Sequence, residues 1–412
     1  MDRTPGAVVI VLLVPRRTLL LAAALSLALA GCSLKSGGGG GTSQIANGIH
    51  SDSKQALAQL GIPVAATRDT TRVSGSDSVT DAAGVATALF PSSSAASRPK
   101  AVTLVDKGQW QAGIAAAVLT GPPLHAPILL SDGDSLPGAT SSAIGLLKPT
   151  GQPLAQGIKA ILVGDRPPAP GGGVKSGAIH GSDPYTIAEG VDRFQSGVAG
   201  RPTSDVLVVS GEQSSWAMPA AAWAARSGDP VLFVKKDSVP APTRKALESH
   251  SHPNIYLLGP TTVISKAVET QLGKLGNVTR IDHDDKKPVT DPIASSVAFA
   301  RFTANGFGWG ARVPGRNYSL ANLSRPLDAA AAAALGNNGV YAPLLVTDAS
   351  DKLPAALEGY LLDVQPGFEG GDPSQGLYNR VWILGNKDAV SPAMQDRVDQ
   401  LTELVPVDRP VH

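Results

Sequence analysis

The sequence predicts an α/β chain made of three tandem copies of one module, each built on a parallel sheet. Three observations carry this. A Pro-led apolar run occurs three times, a second Leu-Pro or Val-Pro pair follows each run ten or eleven residues on, and an Ala-rich stretch precedes each run. Strands alternating with helices in this way form parallel sheets with right-handed crossovers.

The runs are Ala126-Pro127-Ile128-Leu129-Leu130-Ser131, Asp229-Pro230-Val231-Leu232-Phe233-Val234 and Ala342-Pro343-Leu344-Leu345-Val346-Thr347. Each reads as a buried strand. The pairs that follow are Leu136-Pro137, Val239-Pro240 and Leu353-Pro354. Proline after a polar loop suits the first turn of a helix, which places helices at 137–147, 240–249 and 354–363. The Ala-rich stretches at 110–119, 216–225 and 327–335 are predicted helices, because alanine has the best helix propensity and lets a helix approach closely. Buried strands are expected before them at 101–106, 205–210 and 318–323, and strands ending at glycine are expected at 158–164, 255–259 and 381–385. Ser265 and Ser391 fit the N-cap of one further helix each. The first copy has the Pro/Gly-rich loop 167–173 at that place instead.

With 412 residues the chain has length for two to four domains. Hydrophobic residues make up 42% and aromatics only 4%, so the cores are built from small aliphatic side chains, as in helix-covered parallel sheets. Net charge is +1 from 35 basic and 34 acidic residues. No basic excess points to nucleic acid. The single cysteine excludes an intrachain disulfide and a multi-thiolate metal site.

That cysteine, Cys32, stands at the end of a leader. Arg16 and Arg17 precede an apolar run at 19–30, too short for a membrane span and suited to a signal peptide. Leu29-Ala30-Gly31-Cys32 resembles the bacterial lipobox, which implies that the Cys32 thiol receives a diacylglycerol. Arg16-Arg17 is also similar to a twin-arginine export signal. One acyl chain gives marginal membrane residence, roughly 10⁴ M⁻¹, and two hold firmly. Ser33 and the glycines at 37–41 then read as a tether. Cleavage before Cys32 removes three basic residues and one acidic residue, leaving 32 and 33 and a net charge of −1. The expected division is a signal peptide at 1–31, the lipidated cysteine with tether and lead-in at 32–71, and repeats at 72–178, 179–279 and 280–412.

The repeats resemble the type-two cell wall-binding repeat family of Gram-positive bacteria, whose units open on Arg-x-x-Gly-x-Asp-Arg-Tyr-x-Thr-Ala. Arg72, Gly75, Asp77 and Ala82 match in the first copy, where Ser78 and Val79 replace Arg-Tyr. Gly181, Asp183, Tyr185 and Ala188 match in the second, with Pro184 for Arg. The third keeps Arg280 and, after a shift, Asp291 and Ala294. The family's mid-repeat Asp-Ala-Leu-Ala-Ala appears as Asp328-Ala329-Ala330-Ala331, where the other copies carry Trp110 and Trp216, and its Pro-Ile-Leu-Leu stands intact at Pro127 to Leu130. The resemblance implies three Rossmann-like or Toprim-like modules packed as a pseudo-trimer within one chain. It also implies non-covalent attachment to an anionic, teichoic-acid-like wall polymer, with contacts near the Pro-Ile-Leu-Leu segments.

Local charge supplies candidate polymer contacts. Lys235 and Lys236 directly follow the second Pro-run, Arg244 and Lys245 lie on the next helix, Lys286 and Lys287 open the third copy, and Lys352 lies beside the third Pro-run. Open α/β sheets bind ligands at strand C-termini, and lysine suits a polyanion as a point charge. Each lysine alone also reads as an ordinary solubilising charge. Pro127, Ile128, Leu129 and Leu130 read as core strand more readily than as ligand contacts. His250-Ser251-His252 lacks a third metal ligand and reads as exposed loop, and Asp132-Gly133-Asp134 reads as a turn. Neither a Gly-x-Ser-x-Gly elbow, a P-loop nor a His-Glu-x-x-His is present. The chain is therefore expected to be a monomeric, lipid-anchored, non-enzymatic wall binder on the outer face of the membrane, without a cofactor. The competing reading is a substrate-binding lipoprotein of a transporter, which would have two lobes and a hinge.

Overall fold

The computed structural model describes residues 64–165, 167–285, 287–369 and 372–407. Cys32, the leader, the tether and Lys286 lie outside the described residues. In the described chain, seventeen strands form three main sheets and two small pairs.

The first sheet contains β3 (Val102–Asp106), β4 (Ile128–Ser131), β5 (Ala160–Val163) and β6 (Ser176–Ile179), in the order β4-β3-β5-β6, all parallel. The second repeats that order with β7 (Asp205–Ser210), β8 (Val231–Val234), β9 (Asn254–Leu258) and β10 (Asn277–Ile281) as β8-β7-β9-β10. In the third, β13 (Asn317–Asn322), β14 (Leu344–Thr347) and β16 (Arg380–Leu384) run β14-β13-β16. Its fourth strand is β2 (Thr70–Val73), from the other end of the chain, with β1 (Val64–Ala66) antiparallel outside it. The small pairs are β11 (His283–Asp284) with β12 (Lys287–Pro288), and β15 (Gly367–Phe368) with β17 (Val405–Pro406).

The opening strand of each repeat therefore belongs to the preceding sheet. The helix after it packs on the next one. α1 (Ser78–Leu89) lies on β4 and on α3 (Gly138–Leu147), α4 (Pro184–Ala199) on β8 and α6 (Ala241–Ser249), and α8 (Pro292–Arg301) on β14 and α10 (Ala355–Asp363). β2 closes the third sheet while α1 covers the first, so the start of the described chain is bound to its end. Sequence periodicity shows a strand and a helix but not that they serve different sheets.

Aspartate caps these crossing helices. Asp77, Asp183 and Asp291 are N-caps, each accepting from the amide three residues on, at 2.8, 3.0 and 2.8 Å. Thr80 and Thr186 return a hydroxyl to the cap amide and complete a capping box. This is the physical content of the shared Asp in the repeat pattern. Asp183→Ala is expected to cost about 1 kcal/mol, read as a lower urea midpoint at unchanged m-value.

The three Ala-rich helices meet at the centre. α2 (Trp110–Ala116), α5 (Ser214–Ser227) and α9 (Asp328–Ala332) pack on one another, with Ala115, Ala221 and Ala330 among their fully buried residues. α2 and α9 end earlier than expected and continue as the 3₁₀ turns Ala117–Thr120 and Ala333–Gly336. The cause is crowding at the axis. A Cβ on Gly121 would stand 2.3 Å from the Ala225 carbonyl oxygen, and one on Gly336 equally close to that of Ala222. The Pro-runs form β4, β8 and β14, whose side chains are buried throughout; each such Leu, Ile or Val contributes about 1.5–3 kcal/mol.

Pro137, Pro240 and Pro354 sit one position earlier than expected, as N-caps with ψ of 153, 151 and 145°, because a helix entered from a loop needs an extended residue at its cap. Ser265 caps α7 (Lys266–Leu272) and Ser391 caps α11 (Pro392–Thr402). The first module has a loop between β5 and β6 where the others have these helices.

Candidate functional site

The shared arginine of the repeat opening is structural. Arg72 is fully buried, and burial pulls its guanidinium down to about 10. Its Nε donates to Gln395 Oε1 of α11 at 2.8 Å and its Nη1 to the carbonyls of Gly385 and Asn386 at 2.9 and 3.1 Å. Arg280 does the same in the second module, with Glu269 of α7 at 2.7 Å and the carbonyls of Gly259 and Ile264 at 2.8 and 3.0 Å. β6 carries Ala178 at this position, and the first module has no third helix to supply the partner. Arginine and helix are thus lost together. The shift in the third copy has a cause too: the β11–β12 hairpin lies between Arg280 and the Asp291 cap.

The seams between modules differ from one another. Between the first and second modules, Trp110 meets Phe233 edge-on at 6.0 Å and Gln111 Nε2 donates to the Gly211 carbonyl at 3.1 Å. Between the second and third, Trp223 of α5 meets Phe299 of α8 edge-on at 6.4 Å; within the second module, Trp216 covers Gly259 at the end of β9. The third-to-first seam is ionic. Arg325, in the β13–α9 loop, pairs with Asp81 of α1 and, through Nε at 2.9 Å, with Asp328. Both aspartates have 0% exposure. Burial raises both carboxyls above their ordinary range; the charge of Asp328 adds to the rise at Asp81, and Arg325 opposes it at both. Asp81 also accepts from the Gly75 amide at 2.7 Å, and a Cβ on Gly75 would stand 2.3 Å from the same oxygen. This explains the glycine of the repeat opening. Motif matching finds Asp328 but not Asp81 or Arg325, which only the seam brings together.

The sequence-predicted contacts fall into separate places. Lys235 and Lys236 are exposed just after β8. The Lys235 ammonium lies 5.9 Å from the centre of the Tyr185 ring, beside the first seam. Arg244 is half-buried on α6, where the neighbouring Lys245 pairs with Glu189 at 3.0 Å. Lys352 is exposed after β14. Lys287 belongs to the β11–β12 hairpin on the outer side of the third module, in a cavity shared with Asp284, Arg301 and Asp363. Pro127, Ile128, Leu129 and Leu130 are all buried, so their side chains face the core. Asp132 pairs with Lys107 at 2.7 Å.

His250 is buried, contrary to the expected exposed loop. Its Nε2 lies 2.9 Å from Asp192 of α4 and its Nδ1 2.8 Å from the Thr203 carbonyl. Burial works against its charge, but Asp192 and the Thr203 carbonyl outweigh it and raise the imidazole above its usual value. α6 ends at this histidine, which turns its ring inward. His250 and Asp192 share a polar cavity of about 600 Å³ with Gln195, Arg201 and Asp229. Asp229 accepts from the Trp223 indole at 3.0 Å, and its carboxyl is pushed up by burial to about 6. Among the described residues no cluster of His, Cys, Asp and Glu could hold a metal, and no helix is long and apolar enough to cross a membrane.

Fold and seams define a class: three α/β modules that exchange their opening strands round a shared centre of alanine helices. Within it, residues 178–269 match the family Cell wall binding domain 2 (CWB2). The match begins in β6 and ends in α7, the same strand-first unit that the folding pattern defines. No curated protein matches the sequence. Among solved structures, Cwp6 from Clostridium difficile is similar with a TM-score of 0.63 and 15% identity, over 82% of this chain and 48% of that one. Cwp8 from Clostridium difficile is similar with 0.59 and 19%, over 81% and 52%. The chain spans about half the length of each, and at these identities the likeness is one of fold.

Proposed function

We propose that this is an extracytoplasmic surface protein that binds the bacterial cell wall non-covalently, through an anionic polymer lying against the strand C-termini at the module seams. The observation that carries the reading is the family match over the second module, inside a fold that repeats the same sheet order three times. Lys235, Lys236 and Lys352 are exposed at strand ends in two modules and would meet such a polymer as point charges. The aromatic seams and the ionic seam present different surfaces, so the three would not be equivalent. Cys32 is read as the lipid attachment point, which would hold one end in the membrane while the modules hold the wall. A two-lobed solute binder would place one cleft between two sheets, and three sheets round one centre lend that reading no support.

The test is co-sedimentation of the chain from Ser33 onward with purified host walls, before and after acid stripping of anionic polymers. Binding is expected to disappear on stripping and to weaken with salt. Lys235→Glu with Lys236→Glu should weaken it by about 2–5-fold per lysine, as for exposed charge contacts of ~0.5–1 kcal/mol. Equal sedimentation with stripped and native walls would overturn the polymer reading. Cys32→Ala should move the full chain out of the membrane fraction, and unchanged retention would refute lipidation there.

A further inference from the structure

The first module lacks the third helix, and its slot is open. In the third module α11 packs against α10: Arg397 Nε donates to Glu358 Oε1 at 2.9 Å, and Gln365 Nε2 donates to the Gln400 carbonyl at 3.1 Å. Glu358 and Gln365 lie four and eleven residues after Pro354. Four and eleven residues after Pro137 stand Ser141 and Lys148, which line a cavity of about 600 Å³ beside α3. The loop that replaces the helix supplies its other wall through Gly171 and Val174. The cavity lies against the face of α3 that corresponds to the face of α10 under α11.

Its lining has two parts. Leu136, Ile144 and Val174 provide apolar surface, and Arg98, Lys148 and Lys159 provide charge, with no Asp or Glu between them. Among the described residues none of these three cations takes part in an ion pair. The surrounding sequence shows why: 82–105, 135–164 and 166–182 contain no acidic residue at all. Between residues 82 and 182 the only acids, Asp106, Asp132, Asp134 and Asp165, lie at or beyond the C-terminal ends of β3, β4 and β5, whereas Lys159 directly precedes β5. An apolar floor with unpaired cations around it is complementary to an amphipathic anion.

We propose that this slot docks an acidic amphipathic helix of a partner protein, which takes the position that α7 and α11 hold in the sister modules. The shape argument selects a helix over a lipid anion of the same charge: α3 offers the slot the face that α10 offers α11. The helix needs only about two to three turns, since α7 and α11 have 7 and 11 residues. An apolar stripe would lie on Leu136, Ile144 and Val174, and Asp or Glu on the flank would face Arg98, Lys148 and Lys159. This is helix-in-groove recognition. It is independent of wall binding, since none of the residues lining the slot is Lys235, Lys236 or Lys352.

The probe is a lactam-stapled, end-capped peptide of residues 391–403 carrying Arg397→Glu. Arg397 faces Glu358 at home, and in the slot its equivalent neighbour is Ser141, with Lys148 about two turns further along α3. Stapling removes the cost of forming a short helix in water. Binding to the full chain is measured by fluorescence anisotropy at low and high salt. The expected result is affinity about tenfold or more above a stapled peptide of scrambled sequence, weakened by salt. Lys148→Glu with Lys159→Glu should weaken it by about tenfold or more, while wall co-sedimentation stays unchanged. Both lysines lie at the surface of the slot, and circular dichroism checks that the variant folds. Equal binding of native and scrambled peptides, or binding untouched by the charge reversals, overturns the proposal. Phosphatidylglycerol vesicles binding through the same lysines while the peptide does not would also overturn it and assign the slot to a lipid anion.

Discussion

Arg325→Leu is expected to cost about 3–5 kcal/mol at pH 7, the range for breaking a buried ion pair from one side. The substitution leaves Asp81 and Asp328 buried without their cation. Both carboxyls already sit above their usual range, so the leucine variant should protonate them and regain stability as pH falls. The penalty in urea unfolding should therefore be several-fold smaller at pH 4.5 than at pH 7. Adding Asp81→Asn and Asp328→Asn should recover most of it, because neutral amides leave no uncompensated charge. A penalty that is the same at both pH values, or that the triple variant does not reduce, would mean that Arg325 acts through packing alone. The wild-type triad is not thereby a source of net stability. It makes one of three equivalent seams chemically distinct.

Asp229→Asn is expected to stabilise the chain by about 3 kcal/mol at pH 7.5 and to change nothing at pH 3.5. Burial raises this carboxyl from 3.8 to about 6. The folded state thus holds its proton where the unfolded state has released it. Stability from this group is complete below pH 3.8 and is lost as pH rises through 6, and the rise from 3.8 to about 6 corresponds to about 3 kcal/mol. His250 acts in the same direction. Its imidazole is raised by Asp192, so its contribution is complete below 6.5 and lost as pH rises through the higher folded value. Wild type should accordingly resist urea better at pH 5 than at pH 8, with most of the difference gone in Asp229→Asn. A wild-type profile that rises from pH 5 to pH 8 would refute the assignment.

The legible and illegible parts divide by range. The Pro-runs, the alanine helices and the glycine-ended strands follow from periodicity and local propensity, which a single segment expresses without its neighbours. Ser265 and Ser391 were readable as caps for the same reason. The Asp of each repeat opening was readable only as a pattern, and its capping geometry supplies the cause. His250 was misplaced because the group that draws it inward, Asp192, lies 58 residues away on another helix.

Chain-local chemistry was enough to set the module, its threefold recurrence and the absence of a third helix between β5 and β6. Only the tertiary structure assigned each opening strand to the preceding sheet, buried Arg72 against α11, joined Asp81 to Arg325 across 244 residues and left the slot beside α3 lined by unpaired cations. The reason is physical: periodicity records which face of a segment is apolar, whereas its partner is set by which other surface fills that face, and three near-copies of one module offer three nearly equivalent surfaces.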